Sequence, residues 1–82
     1  MYYIYEMLSQ PNDVYYDCVA ELPDDTDMRM VAKEVKRFAL EAVSSFEPCL
    51  VEFGEDTDGF PVADIFDVNK RVVAKFYAEQ FA

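Results

Sequence analysis

One stretch of helical periodicity, residues 28–46, lies between segments whose residues favour strands, and this arrangement limits the fold more than any other feature. Its apolar residues recur three and four positions apart, at Met28, Val31, Ala32, Val35, Phe38, Ala39, Ala42, Val43 and Phe46. This spacing predicts a long helix with a wide apolar stripe along one side. We expect Asp25 or Thr26 to cap its N-terminus, and the helix to end before Glu47-Pro48, where proline disfavours further helix.

Two strands are predicted before the helix. Residues 2–8 and 14–22 are rich in Tyr, Val and Ile, which suit pleated and half-buried surfaces. The residues between them favour a turn, so the pair predicts a β-hairpin. Alternation along the second strand predicts one buried face, made of Val14, Tyr16, Cys18, Ala20 and Leu22. We expect the helix to cover this face.

Three further strands are predicted after the helix, at residues 49–53, 62–68 and 72–77. A helix capped by Asn69 is the alternative for the last segment, but the β-branched Val72 and Val73 at its start favour a strand. The chain is therefore predicted to be a single domain, residues 1–82, with the order β-β-α-β-β-β. This is an α+β two-layer fold, in which an antiparallel or mixed sheet packs on one long helix.

The charges of the chain are sorted along its sequence. There are 17 acidic and 7 basic residues and no histidine, for a net charge of −10. Residues 1–27 and 47–67 each hold seven acids and no base, whereas residues 28–46 and 68–82 each sum to +2. The hydrophobic content of 52% indicates a chain that folds, so these like charges repel one another within a folded domain. They call for an explanation by solubility or by a partner.

We expect one face of the sheet to carry a group of carboxylates. If the helix covers the face that includes Val14, the opposite face gathers Glu6, Asp17, Glu21, Glu52 and Asp64, with Tyr15 among them. The turn that holds Glu55, Asp56 and Asp58 adds an acidic corner. The basic residues of the helix are expected on the far side of the domain, at Arg29, Lys33, Lys36 and Arg37. These acids therefore predict a binding surface for a basic protein.

The most specific form of this prediction is a mimic of nucleic acid. Proteins that bind DNA or RNA contact phosphates through Lys and Arg, and carboxylates can occupy the same contacts. The size and composition of the chain are similar to those of small acidic inhibitors of restriction, repair or CRISPR nucleases, which phages and mobile elements often encode. The alternative is a homodimeric accessory or regulatory module with apolar contacts, whose acidity serves solubility. Direct binding of nucleic acid is not expected, because a net charge of −10 repels phosphate.

No enzyme activity, metal site or cofactor is predicted. The usual general base at neutral pH is missing because the chain has no histidine. Cys18 and Cys49 fit no zinc framework and are expected to be buried and reduced, with a disulfide as the alternative. Residues 55–58 resemble a calcium loop only in composition, although a calcium binder or minimal metal-dependent enzyme that uses them with residues 64–67 is a third hypothesis. The N-terminus resembles neither a signal peptide nor a membrane span, so a cytoplasmic protein is expected.

Overall fold

The computed structural model describes residues 1–10, 12–45 and 50–81. Its elements are β1 (Tyr2–Gln10), β2 (Asp13–Leu22), α1 (Met28–Val43), β3 (Leu50–Glu55), β4 (Pro61–Phe66) and β5 (Val72–Gln80). The five strands form one antiparallel sheet in the order β2-β1-β5-β4-β3. The predicted α+β two-layer fold is confirmed, and so is the prediction that the last element is a strand.

The helix α1 begins at Met28, as its periodicity predicted, but its N-cap differs from the prediction. Asp27 is the N-cap, and its carboxylate accepts a hydrogen bond from the backbone N–H of Arg29 at 2.8 Å. The prediction of Asp25 or Thr26 as the cap was therefore wrong. At the other end Ser44 is the C-cap. The predicted helix extended to Phe46, which lies outside the described residues, as do Glu47-Pro48 and Cys49.

The core lies between α1 and one face of the sheet, here called the helix face. Val31, Val35 and Ala39 of α1 are buried there against β4, β5 and β3. Phe38 and Phe76 of α1 and β5 stack with ring centroids 6.5 Å apart. The core residues contributed by the sheet are Tyr2, Ile4, Ala63, Ile65, Ala74, Phe76 and Ala78. The opposite face, here called the open face, is covered by no described element.

A β-bulge in β2 reverses the orientation of half of that strand. The register of β1 with β2 shifts after Ile4, which leaves Val19 as an extra residue. On the N-terminal side of such a bulge, each side chain points to the face opposite the one that simple alternation predicts. The residues affected are Val14, Tyr16 and Cys18, which are exposed on the open face. The prediction that the helix buries them was therefore wrong.

No helix formed by the described residues combines the length and the apolar character needed to cross a membrane.

Candidate protein-binding surface

The centre of the open face is aromatic. Tyr5 of β1 lies opposite Tyr77 of β5, and their rings stack with centroids 5.4 Å apart. The ring of Tyr3 lies 6.4 Å from that of Tyr5 and makes an edge contact with Phe81 at 5.5 Å. We call Tyr3, Tyr5, Tyr77 and Phe81 the aromatic cluster. It gives this face a continuous apolar surface that carries three phenol groups.

The apolar surface continues from the aromatic cluster across the sheet. A shallow depression beside Tyr77 is lined by Met7, Tyr16, Asp56, Val62, Lys75 and Tyr77. Tyr16 is 64% exposed and Val14, next to it on the open face, is 45% exposed. The density of Tyr in residues 2–16 is the signal in the sequence for this surface.

The phenols of Tyr5 and Tyr77 are more weakly acidic than an ordinary tyrosine. Partial burial is the main cause that raises the pKa of each, and the neighbouring carboxylate of Glu79 raises both further. Cys18 adds to the effect at Tyr5, and Tyr16 adds to it at Tyr77. Both phenols are therefore neutral at physiological pH and can donate hydrogen bonds to a partner.

The carboxylates predicted for one face of the sheet are divided between its two faces. Glu21 lies opposite Tyr3 on the open face, and Glu52 lies opposite Asp64 on the same face. Glu79, which is not among the acids predicted for this face, also lies opposite Tyr3. These acids lie around the aromatic cluster and along β3 and β4, so the centre of the open face is not a carboxylate lattice.

Glu6 and Asp17 lie on the other side of the sheet. Glu6 pairs with the buried Phe76 on one side and with Asp17 on the other, which places both acids on the helix face. Tyr15, two residues from Asp17, shares that face and is 52% exposed. The expectation that Glu6, Asp17 and Tyr15 share a face with the other acids was wrong. The bulge at Val19 reverses Asp17 and Tyr15 of β2. Glu6 follows the buried Ile4 by two residues in β1 and therefore shares its face.

Acidic residues gather at one end of the sheet, here called the acidic end. The strands β2 and β3 finish there, and β1 and β4 begin there. Its members are Glu21, Asp24, Asp25, Asp27, Glu55, Asp56, Asp58 and Glu79. The N-terminal amine of Met1 pairs with the carboxylate of Asp24 and lowers the pKa of that group. The main charge gradient therefore runs along the strands.

The basic residues of α1 are exposed as predicted, but they are partly neutralised. Arg37 contacts Glu34 at 2.7 Å and Glu41 at 3.2 Å, and these carboxylates raise the pKa of its guanidinium. Lys36 lies over the ring of Phe53, with its Nζ 5.4 Å from the ring centroid. The helix therefore presents mixed charge to solvent.

The turn at the acidic corner holds one of its carboxylates in place. Asp56 Oδ1 accepts hydrogen bonds from the backbone N–H groups of Asp58 and Phe60, each at 2.9 Å. Glu55 is the last residue of β3, and the side chain of Asp58 is exposed. No three His, Cys, Asp or Glu side chains in the described part of the chain are grouped so as to hold a metal ion. Asp56 stabilises the turn, which leaves Glu55 and Asp58 as the carboxylates available to a partner.

Comparison with known proteins assigns the chain to no family: no family model matches it, and neither a curated protein nor a solved structure matches it.

Proposed function

We propose that this chain is a protein-binding module whose open face binds a basic protein. The observation that carries the proposal is the aromatic cluster, which lies on a sheet face that no described element covers. Tyrosine is enriched in protein interfaces, because it offers a large rigid apolar surface with a polar tip. Large exposed apolar patches on soluble domains commonly mark such interfaces.

The charges around the aromatic cluster favour a basic partner. Glu21 and Glu79 lie on either side of Tyr3. Lys75 is the one base among the described strand residues of the open face, and its Nζ lies 3.8 Å from Asp64 Oδ1. An apolar centre with an acidic margin complements a surface on which Lys and Arg surround an apolar patch.

The most specific form of the proposal is an inhibitor that competes with nucleic acid for the basic surface of a nuclease or CRISPR complex, inside a host cell. The net charge of −10 and the acidic end support it, because both favour rapid association with a basic protein. Since the carboxylates surround the aromatic cluster rather than cover it, apolar contacts are expected to contribute to affinity as well as charge.

A homodimer that pairs two open faces is the second candidate function, and the same aromatic cluster favours it. Such a dimer would bring together two copies that each carry a charge of −10. Salt separates the two candidates, because screening weakens a complex between opposite charges and strengthens one between like charges.

The test captures partners from extracts of the source cell and of its natural host at low and high salt. We compare the chain with Tyr5→Ser/Tyr77→Ser, which removes the centre of the surface, and with Glu21→Lys/Glu79→Lys, which reverses its margin. Phe53→Ala and Glu41→Lys are the controls for loss of a ring and for reversal of a charge, since both residues are exposed away from the open face. We expect capture of a basic protein that both open-face variants lose and both controls keep, with circular dichroism confirming that each variant folds. Equal capture by all variants would overturn the proposal.

A further inference from the structure

β2 forms one edge of the sheet, and the only charged side chains of its first six residues are the carboxylates of Asp13 and Asp17. β2 pairs with β1 alone among the described strands. Residues 13–18 contain no Lys and no Pro, and all six are exposed. An edge of this kind offers free backbone N–H and C=O groups to another strand. The bulge at Val19 limits the regular part of the edge to these residues.

The hydrogen bonding of Val14 shows which backbone groups point away from β1. Its N–H donates to the carboxylate of Asp13 at 2.8 Å, so this N–H does not take part in the pairing with β1. Outward and inward N–H groups alternate along a strand of an antiparallel pair. The N–H groups of Tyr16 and Cys18 therefore also point outward, toward the position of a further strand.

An added strand would meet different chemistry on its two sides. On the helix face it would lie beside Asp13, Tyr15 and Asp17, with Glu6 directly opposite Asp17 in the next strand. On the open face it would lie beside Val14, Tyr16 and Cys18. One side is therefore acidic and the other apolar, and the apolar side continues into the depression lined by Tyr16 and Tyr77.

We propose that this edge binds an extended segment of the basic partner, in which basic and apolar residues alternate. This inference rests on the proposed function and specifies how the partner binds. The basic side chains of such a segment would pair with the carboxylates on the helix face, and its apolar side chains would extend the open face. A second copy of β2 fits this edge less well, because an antiparallel pair of these edges would gather Asp13 and Asp17 of both copies on one face.

The first test titrates a synthetic peptide of alternating lysine and valine into the isotope-labelled chain and follows the backbone amide signals by NMR. A peptide of the same composition, with its lysines and valines in two blocks, is the control for charge alone. We expect the alternating peptide to bind about tenfold more tightly, with the largest shifts at residues 14–18. Equal affinity of the two peptides, or shifts centred on Tyr5 and Tyr77 or on α1, would overturn the inference.

The second test separates the backbone of the edge from its side chains. Tyr16→Pro and Tyr16→Thr both remove the ring, but only proline removes the outward N–H. We expect the alternating peptide to bind Tyr16→Pro about tenfold more weakly than it binds Tyr16→Thr. We also expect it to bind Asp17→Lys more weakly than it binds Asp58→Lys. Equal binding within either pair, or self-association through β2 seen by sedimentation, would contradict the inference.

The two proposals fail separately, because the peptide assay needs no cellular partner. Normal peptide binding at the β2 edge without capture of a basic protein would contradict the proposed function alone. Capture that depends on Tyr5 and Tyr77, with no binding of the alternating peptide, would contradict the edge inference alone.

Discussion

Lys70 occupies in the β4–β5 turn the position that Gly59 occupies in the β3–β4 turn, and both residues have left-handed backbone. Their φ angles are 64° and 84°. Each turn begins with an aspartate, Asp67 and Asp56, whose N–H donates to the carbonyl four residues later, at 2.9 and 2.8 Å. The two turns therefore have the same hydrogen bonding, but only one has a glycine where the backbone favours it.

Lys70→Gly is expected to stabilise the protein. A left-handed conformation costs a residue with a Cβ about 1 kcal/mol, and glycine avoids this cost. Part of the gain is lost because glycine is more flexible in the unfolded chain, so we expect a net increase of about 0.5 kcal/mol in the free energy of unfolding. Urea denaturation measures this change, and a decrease in stability would contradict the strain at Lys70.

Gly59→Ala is expected to lower the free energy of unfolding by about 1 kcal/mol. A Cβ at this position would meet no atom within 4 Å, so the cost comes from the backbone conformation alone. Gly54→Ala is the matched control, because Gly54 lies in β3 without a positive φ and a Cβ there also meets open space. We expect the control to be neutral or slightly stabilising, and an equal loss at both glycines would argue against the conformational cause.

The aspartates that begin the two turns are expected to matter for stability more than for binding. Asp67 Oδ1 accepts the N–H groups of Asn69 and Arg71 at 2.8 and 3.0 Å, and Asp56 Oδ1 makes the equivalent pair of bonds. We expect Asp67→Ala and Asp56→Ala each to lower the free energy of unfolding by about 1 kcal/mol. Asp58→Ala is the control, because it removes a carboxylate from the same turn. We expect it not to lower the free energy of unfolding.

The element order was predictable from the sequence because local patterns determine most of it. The apolar stripe of α1 required a surface to cover, and strand-favouring segments on both sides supplied one. The N-cap was less predictable, since Asp24, Asp25, Thr26 and Asp27 are all suitable residue types. Only the position of the first helical turn decides among them.

The faces of β2 could not be predicted, because one extra residue changes them. Residues 14–22 read as an unbroken alternating strand, and Val19 is itself a favourable strand residue. No glycine or other local signal marks the bulge. Its position depends on pairing with β1, and it determines whether Asp17 lies on the open face or on the helix face.

The acidic end also depends on the tertiary structure. Residues 24–27 and 55–58 are distant in the sequence, and neither segment carries a local signal that the two meet. Strand order and antiparallel direction bring them to the same end of the sheet. Charge counts along the chain show that the acids are clustered, but they do not show which clusters meet.

The acidic end is expected to make stability depend on salt. Its carboxylates repel one another at low ionic strength, so we expect the melting temperature to rise as salt increases. Asp25→Ser/Glu55→Gln should raise the free energy of unfolding by about 0.5 kcal/mol at low salt and by less at high salt. Glu41→Gln should have the opposite sign, because Glu41 contacts Arg37 at 3.2 Å. Thermal melts at two salt concentrations measure both effects, and a salt-independent melt of the unmodified chain would contradict the repulsion.

The phenols of Tyr5 and Tyr77 are expected to make the protein less stable in alkali. Burial and the carboxylate of Glu79 raise the pKa of both groups in the folded chain above the ordinary value of 10.0. The folded state therefore holds its phenol protons more tightly than the unfolded state does. The resulting contribution to the free energy of unfolding is fully present below pH 10 and is lost as pH rises through the pKa of the folded state. We expect Tyr5→Phe/Tyr77→Phe to reduce the fall in the free energy of unfolding above pH 10, and Glu79→Gln to reduce it by less. Urea denaturation below and above pH 10 measures this change. All variants keep every lysine, so the titration of lysine is the same in each. An unchanged pH dependence in Tyr5→Phe/Tyr77→Phe would show that the phenols are not its cause.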